Sequence, residues 1–296
     1  MVLPSKDAKS GPASSQLSTS TQSVLLPMAT YPDRTSAAGL LRAFDMAATL
    51  GATVTPLVHE VDIPDVRSFL GNLIIDVPEM IDLAEQRSRA HADELTATAG
   101  AIAVRFGMQI DPRRWRGTQD AAPLYLAKVA RSFDHTFLVP AEASSDQLDI
   151  AESVLFGSGG PVWLFPGEDA TGHLESVAIA WDGGRASARA VRDAIPILGQ
   201  TKHVIIVSAT DDKPMDELQL PELQRHLSEH DLQVSTQLFS RDNRSIGSAL
   251  QDAAIETGAG LLVMGAYGHN RVREFVLGGA TKDVLLHRRL PILMSH

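Results

Sequence analysis

Four glycines and a threonine near the C-terminus carry the spacing that could do chemistry: Gly265-x2-Gly268-x9-Gly278-Gly279-Ala280-Thr281. A phosphate group asks for several backbone N–H groups converging on it, preferably at a helix N-terminus. Glycine lets the backbone come that close and adopts positive φ at no steric cost. Gly265 and Gly268 would turn the chain out of an apolar strand. Gly278, Gly279 and Ala280 would present amides at the start of a helix, and Thr281 would add a hydroxyl. Arg271 and Arg273 lie between and would supply positive charge. The opposite lip is the run "AIAWDGG", where Asp182 follows a strand and could accept from adenine or ribose donors. A plainer reading stands beside this one: Asp182 caps the next helix, and the glycines only punctuate strand-to-helix turns. Spacing alone leaves both open.

The elements that must position these residues repeat along the chain. Apolar runs of strand length alternate with segments of helical period, the pattern of an α/β protein with parallel sheets. Strands are expected at 23–30, 53–63, "HTFLVP" and "PVWLFPG", then again at 176–184, "HVIIVSAT", "QVSTQLFS", "LLVMGAYG" and "PILMSH". Helices lie between them, the longest over Glu79–Met108, and "RRWR" at 113–116 reads as a solvated turn with Trp115 packed beneath it. Laid over each other, "SVLLPMA" from Ser23 matches "SVAIAWD" from Ser176, "FLVP" matches "LVMG", and "ESVLFGSGGPVWL" matches "KDVLLHRRLPILM". In this alignment Pro140–Pro161 spans 21 positions and Gly265–Pro291 spans 26, so the second copy carries five extra residues inside its glycine loop. The repeat predicts two tandem Rossmann-like domains, each an open five-stranded parallel sheet with helices on both faces. Residues 1–22 form a flexible arm rich in Ser, Thr, Gly and Pro, residues 23–168 the first domain and residues 174–296 the second. Ligands of such sheets bind beyond the carboxyl ends of the strands, where the strand order reverses.

Composition bounds the function. With 296 residues, 44% of them hydrophobic and 21% charged, the chain can bury two cores of ordinary size. A net charge of −10 argues against nucleic acid and anionic membranes as partners. The absence of cysteine excludes disulfides and thiolate chemistry and fits a cytoplasmic location. No stretch is apolar over the length that spans a bilayer.

At the glycine loop the sequence resembles the universal stress protein family. Gly265-x2-Gly268-x9-Gly278, a small residue, then Ala280-Thr281 looks like that family's ATP-binding signature, and the doubled β-α repeat looks like its tandem members. The resemblance implies a HUP-type fold and a cytoplasmic stress-response protein that is a non-catalytic sensor or regulator rather than an enzyme. It implies ATP or another adenine nucleotide, with or without Mg2+, as the ligand. The partners it implies are the two domains, joined through their last strands, with a homodimer also compatible. Carried over by position, Ala180 and Asp182 would lie near adenine and ribose, Ala209 against the base, Gly265, Gly268, Gly278 and Gly279 around ribose and phosphates, and Ala280 and Thr281 near the phosphates. Gly279 departs from the Ser, Thr or Asn usual there, which removes one hydroxyl bond to phosphate worth about 1.5–3 kcal/mol. The first half departs further. Ala29 replaces the aspartate, Pro140 replaces the first glycine, and the "GSGG" at 157–160 falls after the last helix as a stop and turn. That half is expected to hold no nucleotide.

Other chemistries find less in the sequence. "DGGRAS" (182–187) lacks the serine and aspartate of an ATP pyrophosphatase loop, and "YGHN" lacks the paired histidines of nucleotidylyltransferases. His226 and His230 share a helix face but have no evident third metal ligand, and His269 sits within the glycine loop. The remaining alternative is an interaction module of the same fold that binds no nucleotide.

Overall fold

Along each central strand, burial alternates between two helix layers. In β1 (Ser23–Ala29), Val24, Leu26 and Met28 join one core and Leu25 the other; in β9 (Leu261–Gly265), Leu261 and Val263 oppose Leu262 and Met264 in the same way. Strands apolar on both faces must be covered on both, and helices supply the cover. The computed structural model describes residues 22–64, 77–140, 147–167, 172–211, 219–266 and 279–296. The first half runs β1, α1 (Ala37–Thr49), β2 (Thr53–Val61), α2 (Val77–Arg105), β3 (Arg113–Gly117), α3 (Ala122–Ala130), β4 (His135–Leu138), α4 (Gln147–Gly157) and β5 (Val162–Leu164). The second runs β6 (Ser176–Ala180), α5 (Arg185–Ala194) with a 3-10 turn at Ile195–Gln200, β7 (His203–Ala209), α6 (Gln219–Ser228), β8 (Gln233–Phe239), α7 (Ile246–Glu256), β9, α8 (Gly279–Leu286) and β10 (Ile292–Ser295). Helices α1, α2, α5 and α6 cover one sheet face, and α3, α4, α7 and α8 the other. No helix among the described residues is long and apolar enough to cross a membrane.

Each half is a five-stranded parallel sheet, and the two are fused into one of order β3-β2-β1-β4-β5-β10-β9-β6-β7-β8. The seam is the antiparallel pair β5–β10, with Leu164 opposite Ile292, Trp163 opposite Leu293 and Val162 opposite Met294. In both halves the chain winds outward through three strands and then returns to the other side of the first. The order therefore reverses between β1 and β4, and again between β6 and β9.

Two expectations need correction. "RRWR" is not a turn but edge strand β3, parallel to β2. A single apolar residue among arginines hides the two-residue period. Arg114 reaches Glu60 (3.2 Å) and Asp93 (2.7 Å), and Arg116 reaches Asp62 (2.7 Å) and Glu85 (2.8 Å). Trp115 stacks between His59 (4.8 Å) and Tyr125 (4.1 Å). Charges on an edge strand also discourage pairing with another chain. The second correction concerns the alignment of the halves. Thr136 N–H donates to Pro161 O, and Leu262 N–H to Pro291 O. The ladders thus place Val139, not Pro140, at the position of Gly265, and Pro140 at that of Ala266. Val139–Pro161 spans 22 positions against 26 for Gly265–Pro291, so the second loop is longer by four residues rather than five.

Two histidines inside this frame are held neutral. His135 is 3% exposed, and its Nδ1 accepts from Trp163 Nε1 at 3.2 Å, which leaves Nε2 protonated with no partner among the described residues. Burial pushes its pKa below the usual 6.5, against smaller raising effects of Asp134 and Asp193. Burial does the same to His59, whose Nε2–H donates to Gly117 O at 2.9 Å. A depressed folded pKa means that the unfolded chain takes up protons first as pH falls. The stabilisation is complete above the unfolded value of 6.5 and is lost on acidification toward the folded value. Urea unfolding between pH 7.5 and 5 should show stability level above about pH 6.5 and falling below it, by at most about 1.4 kcal/mol per pH unit for each such histidine. His135→Leu should make that slope shallower, and an unchanged slope would contradict the assignment.

Candidate functional site

The crevice between β6 and β9 is where strand order reverses in the second half, and Asp182, Ala209 and Gly265 lie at the carboxyl ends of the strands there. The chain leaving β6 is clamped to β7: Trp181 N–H donates to Val207 O at 3.0 Å, and Ser208 Oγ donates to Trp181 O at 2.8 Å. Asp182 follows at once. Its Oδ1 accepts from Gly184 N–H at 2.9 Å and lies 2.7 Å from Ser187 Oγ, whose single proton is shared with Gly184 O at 2.8 Å. The carboxylate therefore closes the turn into α5, whose N-cap, Gly184, has no side chain to do so. Gly183 is required by its φ of +69°, and the Gln219 side chain, from the start of α6, lies against it. Ser187 and Gln219 were not legible as neighbours of Asp182. For Ser187 the available signal was a hydroxyl in the first helical turn behind an Asp-Gly-Gly; for Gln219, in a distant segment, there was none.

Gly265 ends β9 against the first turn of α5. A Cβ there would sit 2.3 Å from Ser187 N and 2.4 Å from Ala186 C. The first half solves the same contact in reverse: Val139 takes the strand position, and Gly39 the helix position of Ser187, where a Cβ would meet Val139 Cγ1 at 2.3 Å. One side of this contact must be glycine, and only in the second half is it the strand. The chain beyond Gly265 is then fixed by its neighbours. Ala266 N–H donates to Ser295 O at 2.8 Å, and Ala266 O accepts from His296 Nδ1 at 3.0 Å. The His296 ring stands edge-on to Phe156 of α4 at 4.8 Å, tying the loop's origin to the first half.

Gly279 opens α8; Ala280 packs on the second-face core, and Thr281 is buried. A Cβ on Gly247 of α7 would lie 2.7 Å from Ala280 O, so α7 holds the first turn of α8 at close range. Ala180 ends β6 inside the second-face core, and half-buried Ala209 ends β7 opposite Phe239. Gly268, Gly278, His269, Arg271 and Arg273 lie outside the described residues. Asp182, Ala209 and Gly265 thus share the carboxyl end of adjacent strands β7, β6 and β9, while Thr281 belongs to the helix between β9 and β10. The rings of His226 and His230 meet edge-on at 5.1 Å, and among the described residues no group of three metal-binding side chains occurs.

Comparison with known proteins agrees with this architecture. Residues 174–296 match the model of the universal stress protein family. A universal stress protein from Archaeoglobus fulgidus DSM 4304 superposes with a TM-score of 0.67 at 18% identity, over 93% of this chain and 96% of that one. A Pseudomonas aeruginosa UCBPP-PA14 protein assigned to the universal stress proteins superposes with a TM-score of 0.53 at 16% identity, over 93% of each chain. These superpositions are likenesses of fold over both halves; the family's sequence pattern is carried by the second. No curated protein matches the chain.

The Gly265 contact has a direct consequence. Because the clashing atoms are backbone, Gly265→Ala should destabilise the fold by about 1–3 kcal/mol, read as a lower urea midpoint. A change within about 0.5 kcal/mol would show that the strand end can give way.

Proposed function

We propose, on the match of the C-terminal half to the universal stress protein family, that this half binds an adenine nucleotide and that the chain serves a stress response as a non-catalytic sensor or regulator. The observation that carries the reading is the placement of Asp182 and Gly265 at the two lips of the β6–β9 crevice, where open α/β sheets hold their ligands. Two helix N-termini serve the same end of the sheet. That of α5 abuts Gly265, and that of α8 begins at Gly279. Such termini favour negative charge and present unpaired amides to phosphate. In this reading ATP lies with its base toward Ala180 and Ala209, its ribose at Asp182, and its phosphates toward Gly279, Ala280 and Thr281, with Mg2+ as an optional companion. Asp182 binds rather than reacts, since its Oδ1 is already committed to the α5 turn.

One observation favours an interaction module instead: Asp182 and Gly265 both have complete structural reasons for their identities. The test must therefore leave those reasons intact. Asp182→Asn keeps the Oδ1 acceptor and removes the charge. Gly279→Ser restores a hydroxyl beside the phosphates. Calorimetric titration with ATP, ADP and AMP, with and without Mg2+, should show binding to the unaltered protein. It should tighten about tenfold in Gly279→Ser and weaken about tenfold in Asp182→Asn. Absence of heat at millimolar nucleotide in all three proteins would leave the interaction module.

A further inference from the structure

The reversal crevice of the first half, between β1 and β4, is a different kind of site. The β1–β4 ladder pairs only Val24–Leu25, whereas β6–β9 pairs Val177–Ile179. Pro27, at the position of Ala180, has no N–H with which to extend the ladder. Beyond it the strands enclose a pocket of about 40 Å³ between the sheet, α3 and α4. About 10–15 Å³ of such space holds one water, so the pocket accepts a few heavy atoms and no nucleotide. Its walls are chiefly Met28, Leu126, Leu138, Val139 and Ile150.

Into this apolar pocket the second half sends a cation. Arg288, between α8 and β10, lines it. The alignment of the halves puts Ser158 at the matching place in the first, so no arginine stands at that position toward the β6–β9 crevice. The neighbouring Arg289 is paired with Asp252. Arg288, by contrast, has among the described residues a single long hydrogen bond, from Nη1 to Phe165 O at 3.5 Å, and no carboxylate. Desolvation lowers its pKa to about 10, so it is still a cation at neutral pH. A desolvated charge that meets no carboxylate among the described residues is unfavourable there, and an anion in the pocket would relieve it. Thr35 supplies a second polar group. It is 2% exposed, and its Oγ1 accepts from Ala29 N–H at 2.8 Å, leaving the hydroxyl proton to donate. The third polar wall residue, His59, has its pKa lowered by burial, so the positive charge of the pocket rests on Arg288.

We infer that the first half binds a small carboxylate with a short apolar body, its charge held by Arg288 and Thr35 and its tail by the walls of the β1–β4 crevice. The site is shared between the halves, because its cation comes from the second and its cavity from the first. It is independent of the adenine-nucleotide reading, which concerns the other crevice.

Butanoate, butanamide and inorganic phosphate are the probes, titrated calorimetrically into the full chain and into Arg288→Gln and Arg288→Lys. Butanoate should bind in about the millimolar range. Butanamide should bind at least about tenfold more weakly, as should butanoate to Arg288→Gln, with Arg288→Lys in between. Without ligand, Arg288→Gln should melt at or above the temperature of the unaltered protein, since it removes a desolvated cation; this also checks that the variant folds. Failure of butanoate to saturate the unaltered protein by about 50 mM would overturn the proposal. So would equal binding of butanoate by Arg288→Gln, or phosphate binding tighter than butanoate.

Discussion

Each half of this protein ends in a strand whose outer backbone groups cannot remain bare. An exposed sheet edge presents a row of unpaired N–H and C=O groups and invites another chain. Here β5 and β10 satisfy each other, antiparallel, and every residue of the three facing pairs is almost fully buried. Apart from this pair every contact within the sheet is parallel, so the seam joins two complete units rather than extending one. Much else follows from it. Phe137 packs with Trp163 and Phe165 at 5.3 and 5.1 Å, His296 meets Phe156, and Arg288 crosses to Phe165. Separated, each half would expose both an edge and an apolar cluster, so the halves form one sheet with two reversal crevices.

Those crevices have diverged under the same packing rule. The strand end after β4 or β9 meets the first turn of a helix, and the approach is too close for two side chains. Gly39 yields to Val139 in one half, and Gly265 yields to Ser187 in the other. With glycine on the strand, the chain leaves β9 into a longer loop and the α8 N-terminus. With valine there, and proline within β1, the first half gains an apolar wall and an interrupted ladder. The loop after the first strand differs in the opposite sense. Seven positions separate Ala29 from the cap at Ser36, and two separate Asp182 from the cap at Gly184. That length lets Thr35 fold back on Ala29, while Asp182 closes the shorter turn with its own side chain.

Charge is distributed with similar economy. Arg114 and Arg116 of β3 face carboxylates in and just beyond β2 and in α2, and the Ile63 N–H, followed by Arg116, holds the Glu85 carboxyl below its usual range. These pairs lie at the surface and contribute little individually, but they dress the edge strand with charge and orient it over α2. The same residue type, once moved from the rim to the seam, becomes in Arg288 a cation with no carboxylate among the described residues.

The sequence by itself determined the α/β class, the doubling, the element order apart from β3, and the strand ends where ligands belong. Those features live in local signals: apolar runs of strand length, helical periods, glycine punctuation and the self-similarity of the halves. It placed Asp182 and Gly265 at the ends of the first and fourth strands of the repeat, where open α/β sheets hold their ligands, and the family resemblance added Ala209 at the end of the second. It did not determine the register between β4 and β5, because "FLVP" and "LVMG" are apolar at every position and slide past each other without penalty. Only the hydrogen-bond ladder decided that Val139 faces the fate of Gly265. Nor did it reveal that Asp182 and Gly265 are held by Ser187 and the α5 backbone, since those distances are set by helix-on-sheet packing. The pocket above Pro27 and the arginine that enters it belong wholly to tertiary structure. Arg288 lies more than 120 positions from Phe165 in the chain. Only the antiparallel seam brings the two together.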